Sequence, residues 1–170
     1  MKKFIEDVQE WARVRKIYDQ STELRQKAGA IEEIAEYLIA ETREEKMLEL
    51  GDIAVFLVNA AFLANEELTA DQPAVPYFTI SGLAHLILRE HSLDDESGSR
   101  RYNICMKALS QYCGENGYDF DEILARTWEK IKDRKGMMIN KKFVKWESMS
   151  EEQRKEFLDR DSGNTLIRGI

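Results

Sequence analysis

Residues Glu49–Ala64 read ELGDIAVFLVNAAFLA and predict the centre of the protein. Beyond Asp52 this segment is apolar on every side of a helical wheel, except at Asn59. A helix that is apolar all round lies inside a protein, yet this one has two carboxylates at its start. A buried carboxylate without a partner is costly and usually acquires a cation, a metal or a proton. We therefore expect a buried helix with a charged site at its entrance.

Helical periodicity extends from this segment over most of the chain. Proline and glycine are scarce, with 2 and 9 among 170 residues, and apolar residues recur at spacings of three and four, which predicts an all-α fold. We expect Ile31, Ile34, Ala35 and Leu38 to form the inner stripe of the second helix, and Thr42 and Glu45 to cap the third. The predicted helices are Lys3–Asp19, Thr22–Glu41, Thr42–Glu67, Thr79–His91, Arg100–Cys113 and Asp119–Asp133.

The remaining segments are predicted as loops and a C-terminal extension. Asp71–Tyr77 contains both prolines, and Asp94–Ser99 is polar. We expect a core over residues 1–134 and an extension over 135–170, in which Lys135–Trp146 forms a short strand or an extended arm. Ser150 and Gln153 are spaced to cap a short helix ending at Leu158, with a loosely ordered tail after it.

Composition limits the classes of function. A formal charge of −7 argues against nucleic acid as the main partner. No apolar signal segment follows Lys2 and Lys3, and the apolar helix is too short to span a bilayer. Cys105 and Cys113 are not in a C-x-x-C spacing and are read as reduced thiols. We expect a cytoplasmic protein that acts neither on nucleic acid nor on a membrane.

Two acidic pairs have the spacing of a metal site. Glu33 and Glu36 are three residues apart on one predicted helix, as are Glu49 and Asp52 on the next, so each pair lies on one helix face. A short connection favours antiparallel packing, which lets the pairs face each other. Such oxygen donors suit Mg²⁺, which combines a few carboxylates with waters and phosphates. Asn59 shares the side of Asp52 and can contact a substrate.

The alternative to a metal site, for part of this acidic pattern, is an ordinary solvated helix surface. Glu32, Glu33 and Glu36 form an E-E-x-x-E run, and on a helical wheel they lie opposite the expected apolar stripe. Charged runs are usually exposed, and 34% of this chain is charged. Glu49 and Asp52 fit this alternative less well, because their helix offers little polar surface.

The E-E-x-x-E run is followed by twelve further residues and then by E-L-G-D before an apolar helix. This order of motifs resembles that of the MazG-type all-α nucleoside triphosphate pyrophosphatases. This superfamily also includes dimeric dUTPases and phosphoribosyl-ATP pyrophosphatases. The resemblance covers about residues 4–134. It implies a four-helix-bundle-type core with extra helices, and hydrolysis of a (deoxy)nucleoside triphosphate to the monophosphate and pyrophosphate.

The resemblance also implies roles for particular residues. Glu33, Glu36, Glu49 and Asp52 match its ligands for two or more Mg²⁺ ions, with Mn²⁺ as the alternative metal, and Glu32 matches an auxiliary acid. Glu36 is our first choice for orienting the attacking water or taking its proton, and Glu33 is the second.

The same resemblance suggests substrate contacts outside the acidic motif. Lys130 and Arg134, four residues apart, match a cationic pair that meets phosphates, although a basic helix end is an equally good reading. Relatives carry a lysine where this chain has Gly29, and Lys27 is the nearest substitute. Trp11 is a candidate for the wall of a base pocket.

Two other functions and the assembly state are left open by the residues. A phosphoribosyl-ATP pyrophosphatase shares the acidic pattern, and a non-catalytic helical interaction module would have it as a solvated surface.

A central helix that is apolar on every side needs neighbours on all faces, and a single chain of this size offers few. We therefore expect a homodimer or homotetramer, in agreement with the resemblance.

Overall fold

The computed structural model describes residues 1–69, 79–89 and 100–167, with side chains up to Ser162. The predicted loops Asp71–Tyr77 and Asp94–Ser99, together with His91, lie outside the described residues. Within the described ranges the chain is mostly helical, with one small two-stranded sheet. Its elements are α1 (Lys2–Val14), α2 (Ile17–Gln20), α3 (Glu23–Ile39), α4 (Arg43–Leu63), α5 (Ile80–Leu88), α6 (Arg101–Glu115), α7 (Phe120–Ile131), β1 (Gly136–Ile139), β2 (Lys142–Lys145) and α8 (Glu151–Ile167).

Helix α4 lies at the centre, as its sequence predicts. Leu50, Ile53, Leu57 and Val58 are fully buried, and helices α1, α3, α6 and α7 pack around them. The all-α prediction is confirmed. Helices of the same protomer cover most of α4, while its residues Phe56, Phe62 and Leu63 are only partly buried. None of the described helices has the length and apolar character needed to cross a bilayer.

Paired side-chain caps define the α3–α4 hairpin. The Thr42 hydroxyl accepts a hydrogen bond from the Glu45 amide at 3.1 Å, and the Glu45 carboxylate accepts one from the Thr42 amide at 2.9 Å, as expected for a capping box. Thr22 caps α3 in the same way, accepting from the Arg25 amide at 3.2 Å. Only three residues join α3 to α4, so the two helices pack side by side and antiparallel.

Two glycines allow close helix packing around α4. A β-carbon at Gly29 would overlap the ring of Phe56, and one at Gly51 would overlap the hydroxyl of Thr127. The first contact brings α3 against α4, and the second brings α7 against α4. Both contacts lie beside the acidic residues, and the first sets the separation of α3 and α4, the helices that carry those residues.

The first predicted helix is interrupted at Arg15 and Lys16, so that it forms two helices, α1 and α2, rather than one. Helix α1 ends at Val14, and Lys16 adopts a left-handed conformation with φ 56° before α2 begins. The Arg15 carbonyl accepts from the Met138 amide at 2.8 Å, and its guanidinium donates to the Arg134 carbonyl at 3.0 Å. Contacts of Arg15 with the C-terminal segment thus end α1. Local periodicity does not indicate such long-range contacts.

The predicted inner stripe of the second helix is also partly wrong. Ala35 is exposed and Leu38 is 60% exposed, whereas Ile34 is buried as expected. The buried face of α3 runs instead through Ala30, Ile34 and Tyr37, because α3 contacts α4 and α5 on that side. An apolar strip on α3 is therefore left facing outward.

The C-terminal extension forms a hairpin and a long helix. Strands β1 and β2 pair antiparallel, with Gly136 opposite Lys145, so a strand is confirmed within Lys135–Trp146. Ser150 caps α8 through reciprocal bonds with Gln153, but α8 continues to Ile167 and the predicted end at Leu158 is wrong. Arg160, in the unpredicted part, donates to the Val14 carbonyl at 3.2 Å.

We expect Gly51→Ala to destabilise the fold by about 1–3 kcal/mol, because the added methyl group overlaps Thr127 at the α4–α7 contact. Gly114→Ala is the matched control, since a β-carbon there has no neighbour within 4 Å. At this exposed helical position alanine should stabilise by about 0.5–1 kcal/mol. Denaturant unfolding measures both changes, and equal free energies for Gly51→Ala and wild type would contradict the packing described.

Candidate metal centre and adjoining cavity

Three carboxylates converge between α3 and α4. One oxygen from each of Glu33, Glu36 and Glu49 lies within 4.8 Å of the others. Glu33 and Glu49 are partly buried, and Glu36 is exposed. The spacing predicts two facing pairs, and Glu33, Glu36 and Glu49 converge across the antiparallel hairpin, whereas Asp52 lies outside this group of three. The arrangement presents oxygen donors of the kind preferred by hard divalent cations.

The electrostatics of this cluster favour added positive charge. Burial, a hydrogen bond with the Glu49 carboxyl and the nearby charges of Asp52, Glu36 and Glu49 raise the pKa of Glu33 to about 8. Like charges at this separation resist joint ionisation, so the Glu33 carboxyl keeps its proton at neutral pH in its hydrogen bond with Glu49. A cation bound among these oxygens would compensate their negative charge and so favour the ionised form of Glu33.

Asp52 lies beside the cluster with a cationic partner. The Lys130 ammonium donates to the Asp52 carboxylate at 2.6 Å, an ion pair in which both side chains are partly exposed. Helix α7 approaches closely enough for this pair because Gly51 leaves room for Thr127. Lys132 lies away from Asp52 and pairs with Glu129.

A cavity of about 490 Å³ adjoins Glu33 and Asp52. One wall is apolar, and the residues along its rim carry both signs of charge. Cavities of this size accommodate small molecules and are typically apolar with a few fixed polar groups. The apolar wall includes Trp11, Phe56, Met138 and Phe143, and the charged residues are Arg25, Glu32, Glu33, Asp52 and Arg134.

Asn59 provides a fixed polar group at this cavity. Its side chain is 2% exposed, and its Oδ1 accepts from the Tyr18 hydroxyl at 2.9 Å. Burial raises the pKa of Tyr18, so this hydroxyl remains a neutral donor. Tyr18 is itself held by stacking on Phe62, with ring centroids 3.9 Å apart. Within the described chain no group accepts from Asn59 Nδ2, so its two hydrogens are available to a ligand.

Trp11 and Arg134 also lie at the cavity, as the sequence suggests. The Trp11 indole donates to the Ile131 carbonyl at 2.8 Å, and the Arg15 guanidinium lies 4.4 Å from the Trp11 ring centroid. These contacts fix the ring, so that it offers a rigid apolar surface. Arg134 presents its side chain to the cavity while its carbonyl accepts from Arg15.

Lys27, a predicted substrate contact, is buried and does not line the cavity. Burial raises the pKa of Cys105, and the charge of Lys27 acts against that rise. Glu32 lies at the cavity and outside the group of three converging oxygens, as an auxiliary acid would. Gly29 cannot be replaced by the lysine of the resembling family without displacing Phe56, because the ring occupies that space.

Arg25 and Phe143 are cavity residues that the sequence reading did not select. Arg25 lies seven and eight residues before Glu32 and Glu33, two helical turns along the same side of α3, so helical spacing could have identified it. Phe143 comes from the hairpin of the extension, and no local pattern connects that segment to the acidic motif.

No family model, curated protein or solved structure matches this chain.

We expect the free energy of unfolding in the presence of a chelator to fall as pH rises from about 5 to 8. The pKa of Glu33 is raised on folding, so the folded state holds a proton that the unfolded state has already released, and that stability is lost as the carboxyl ionises. Glu33→Gln should flatten this dependence, since the amide does not titrate. Parallel pH profiles for the two proteins, from denaturant unfolding, would contradict a shared proton at this site.

We also expect Mg²⁺ to raise the melting temperature more than a monovalent salt at matched ionic strength. A cation that binds the native cluster better than the unfolded chain stabilises the fold by mass action, about 2.7 kcal/mol at a hundredfold excess over its Kd. Glu49→Gln should abolish the difference between the salts. Equal shifts from both salts in the wild-type chain would mean simple screening of charge.

Proposed function

We propose that this protein is a Mg²⁺-dependent pyrophosphohydrolase that converts a nucleoside triphosphate, preferably a deoxynucleoside triphosphate, to the monophosphate and pyrophosphate. The observation that carries this proposal is the convergence of Glu33, Glu36 and Glu49 within 4.8 Å beside a cavity lined by cations and aromatic rings. The resemblance of the acidic motif to MazG-type enzymes points to the same chemistry. On this hypothesis helices α1, α3, α4 and α7 form the four-helix core of that family.

The residues present suit magnesium. All of the candidate ligands are carboxylates, and burial together with the neighbouring carboxylates raises the pKa of Glu33. Glu33, Glu36 and Glu49 would hold the first ion, and Asp52 would contribute to a second. When bound, such ions neutralise phosphate oxygens and lower the pKa of a coordinated water.

Side chains in and near the cluster would accept the proton of the attacking water and bind the phosphates. Glu36 is the most exposed of the three carboxylates, and it is our first choice for accepting the proton of the attacking water, with Glu33 as the second. Lys130 and Arg134 project from α7 and the residues after it toward the same side as Asp52, where they would bind phosphate oxygens. Arg25 adds a third cation at the cavity.

The cavity beside the cluster would bind the nucleoside part of the substrate. Trp11 and Phe56 offer aromatic surfaces to a base. Asn59 Nδ2 would donate to a carbonyl or ring nitrogen of that base, because its Oδ1 is already engaged by Tyr18. A fixed donor at the end of an apolar slot favours some bases over others.

Purified protein should release pyrophosphate from at least one natural nucleoside triphosphate when Mg²⁺ is present. Glu36→Gln and Asp52→Asn should each lower turnover at least about a hundredfold, because each removes charge at the metal centre with little change of shape. Glu152→Gln, at an exposed position on α8, is the matched control and should retain wild-type activity.

The outcomes separate the proposed function from its alternatives. Absence of pyrophosphate release from every nucleotide would favour a non-catalytic helical module, and turnover of phosphoribosyl-ATP alone would favour that narrower class. Wild-type activity in either acidic variant would refute the assigned centre.

A further inference from the structure

The hairpin of β1 and β2 presents two different faces to the rest of the chain. Directly opposed residues of an antiparallel pair project from the same face, and neighbours along a strand alternate between faces. Met138 lies opposite Phe143, and Met137 lies opposite Val144. Met137 forms a small apolar cluster with Phe157 of α8, and Val144 packs against that cluster. The other face, with Met138 and Phe143, lines the cavity beside the carboxylates.

Phe143 is the part of this cavity wall that is most open to a ligand. Its side chain is 37% exposed, and it is the one aromatic residue among the large apolar side chains found exposed in the described part of the chain. Trp11, which lines the same cavity, is 9% exposed. None of the stacked or edge-on ring pairs within the described ranges includes Phe143. A planar ligand stacked on this ring would therefore displace no aromatic partner.

Gly136 provides the seat on which the Phe143 ring rests. A β-carbon at Gly136 would lie 2.8 Å from Phe143 Cε1 and 2.6 Å from the Val144 carbonyl oxygen. The φ of Gly136 is 144°, a conformation that residues with a side chain rarely adopt. The backbone of β1 thus supports one side of the ring, and the hairpin itself positions the ring at the cavity.

The hairpin is fixed at its tip and along its first strand. Asn140 and Lys141 form its two-residue turn with φ of 50° and 63°, the left-handed pair that a tight type I′ hairpin requires. The Lys141 amide donates to Gln20 Oε1 at 3.0 Å, and the Met138 amide donates to the carbonyl between α1 and α2 at 2.8 Å. A ring on a fixed element loses little conformational entropy when a ligand binds.

We propose that Phe143 stacks on the base of the bound nucleotide, so that the C-terminal hairpin forms part of the substrate site. An aromatic ring contributes apolar area and a π face to a planar base, and such stacking tolerates any base. The identity of the ligand rests on the proposed function. The contact goes beyond that function because the hairpin lies after residue 134, outside the part of the chain that carries the acidic motif.

Equilibrium binding tests the contact without any turnover. The probes are α,β-imido analogues of the natural deoxynucleoside triphosphates, which resist cleavage at that bond, in the presence of Mg²⁺. Phe143→Ala should weaken binding of the tightest analogue about tenfold or more. Phe143→Leu keeps the apolar bulk without the ring and should lose most of the affinity, whereas Phe143→Tyr should bind as the wild type does. Leu158→Ala is the matched control, since Leu158 is 46% exposed on α8 and does not line the cavity.

Steady-state kinetics provides a second readout where the wild-type chain is active. Phe143→Ala should raise KM with little change in kcat, because a base contact remote from the carboxylates contributes equally to the bound substrate and to the transition state. A fall in kcat with unchanged KM would contradict a role in binding. An undiminished rise in melting temperature with Mg²⁺ in each variant would show that the metal centre is intact.

The binding outcomes separate this contact from the proposed activity. Wild-type affinity in Phe143→Ala or in Phe143→Leu would overturn the stacking, even if the enzyme releases pyrophosphate. A wild-type chain that binds none of the analogues would overturn it as well. Binding that is lost in Phe143→Ala, without pyrophosphate release from any natural triphosphate, would support the base contact and refute the activity.

Discussion

The contact between α3 and α4 is the constraint on which the rest of the structure depends. Gly29 presents no side chain toward Phe56, so the two helices approach within the width of a single ring. That approach brings Glu33 and Glu36 to Glu49 and partly buries Glu33 and Glu49, although carboxylates of like charge would separate in water. The free energy that holds like charges together comes from the apolar packing of α4, not from the site itself.

Much of this arrangement could be predicted from the sequence, because the signals are local. The capping box at Thr42 and Glu45 begins α4, and continuous apolar residues make it central. The spacing of Glu33, Glu36 and Glu49 then follows from two helices joined by a short turn. The predictions failed where distant segments meet: Lys16 interrupts the first helix because the hairpin bonds to Arg15.

The orientation of α3 could not be inferred from its composition. Apolar residues occur on two of its sides, and a helical wheel does not tell which of them the protein covers. Packing against α4 and α5 buries Ala30, Ile34 and Tyr37, leaving Ala35 and Leu38 outside. The same orientation of α3 about its axis explains why Lys27 is buried away from the cavity and why Arg25 lines the cavity.

The ion pair between Lys130 and Asp52 has a consequence for how ligands bind together. A metal ion that coordinates Asp52 competes with an ammonium group already placed 2.6 Å from its carboxylate, so the lysine must be displaced. A phosphate oxygen gives the displaced lysine a new anionic partner. On the proposed function, cation and phosphate would therefore bind with positive cooperativity, and by thermodynamic reciprocity each would tighten the binding of the other by the same factor.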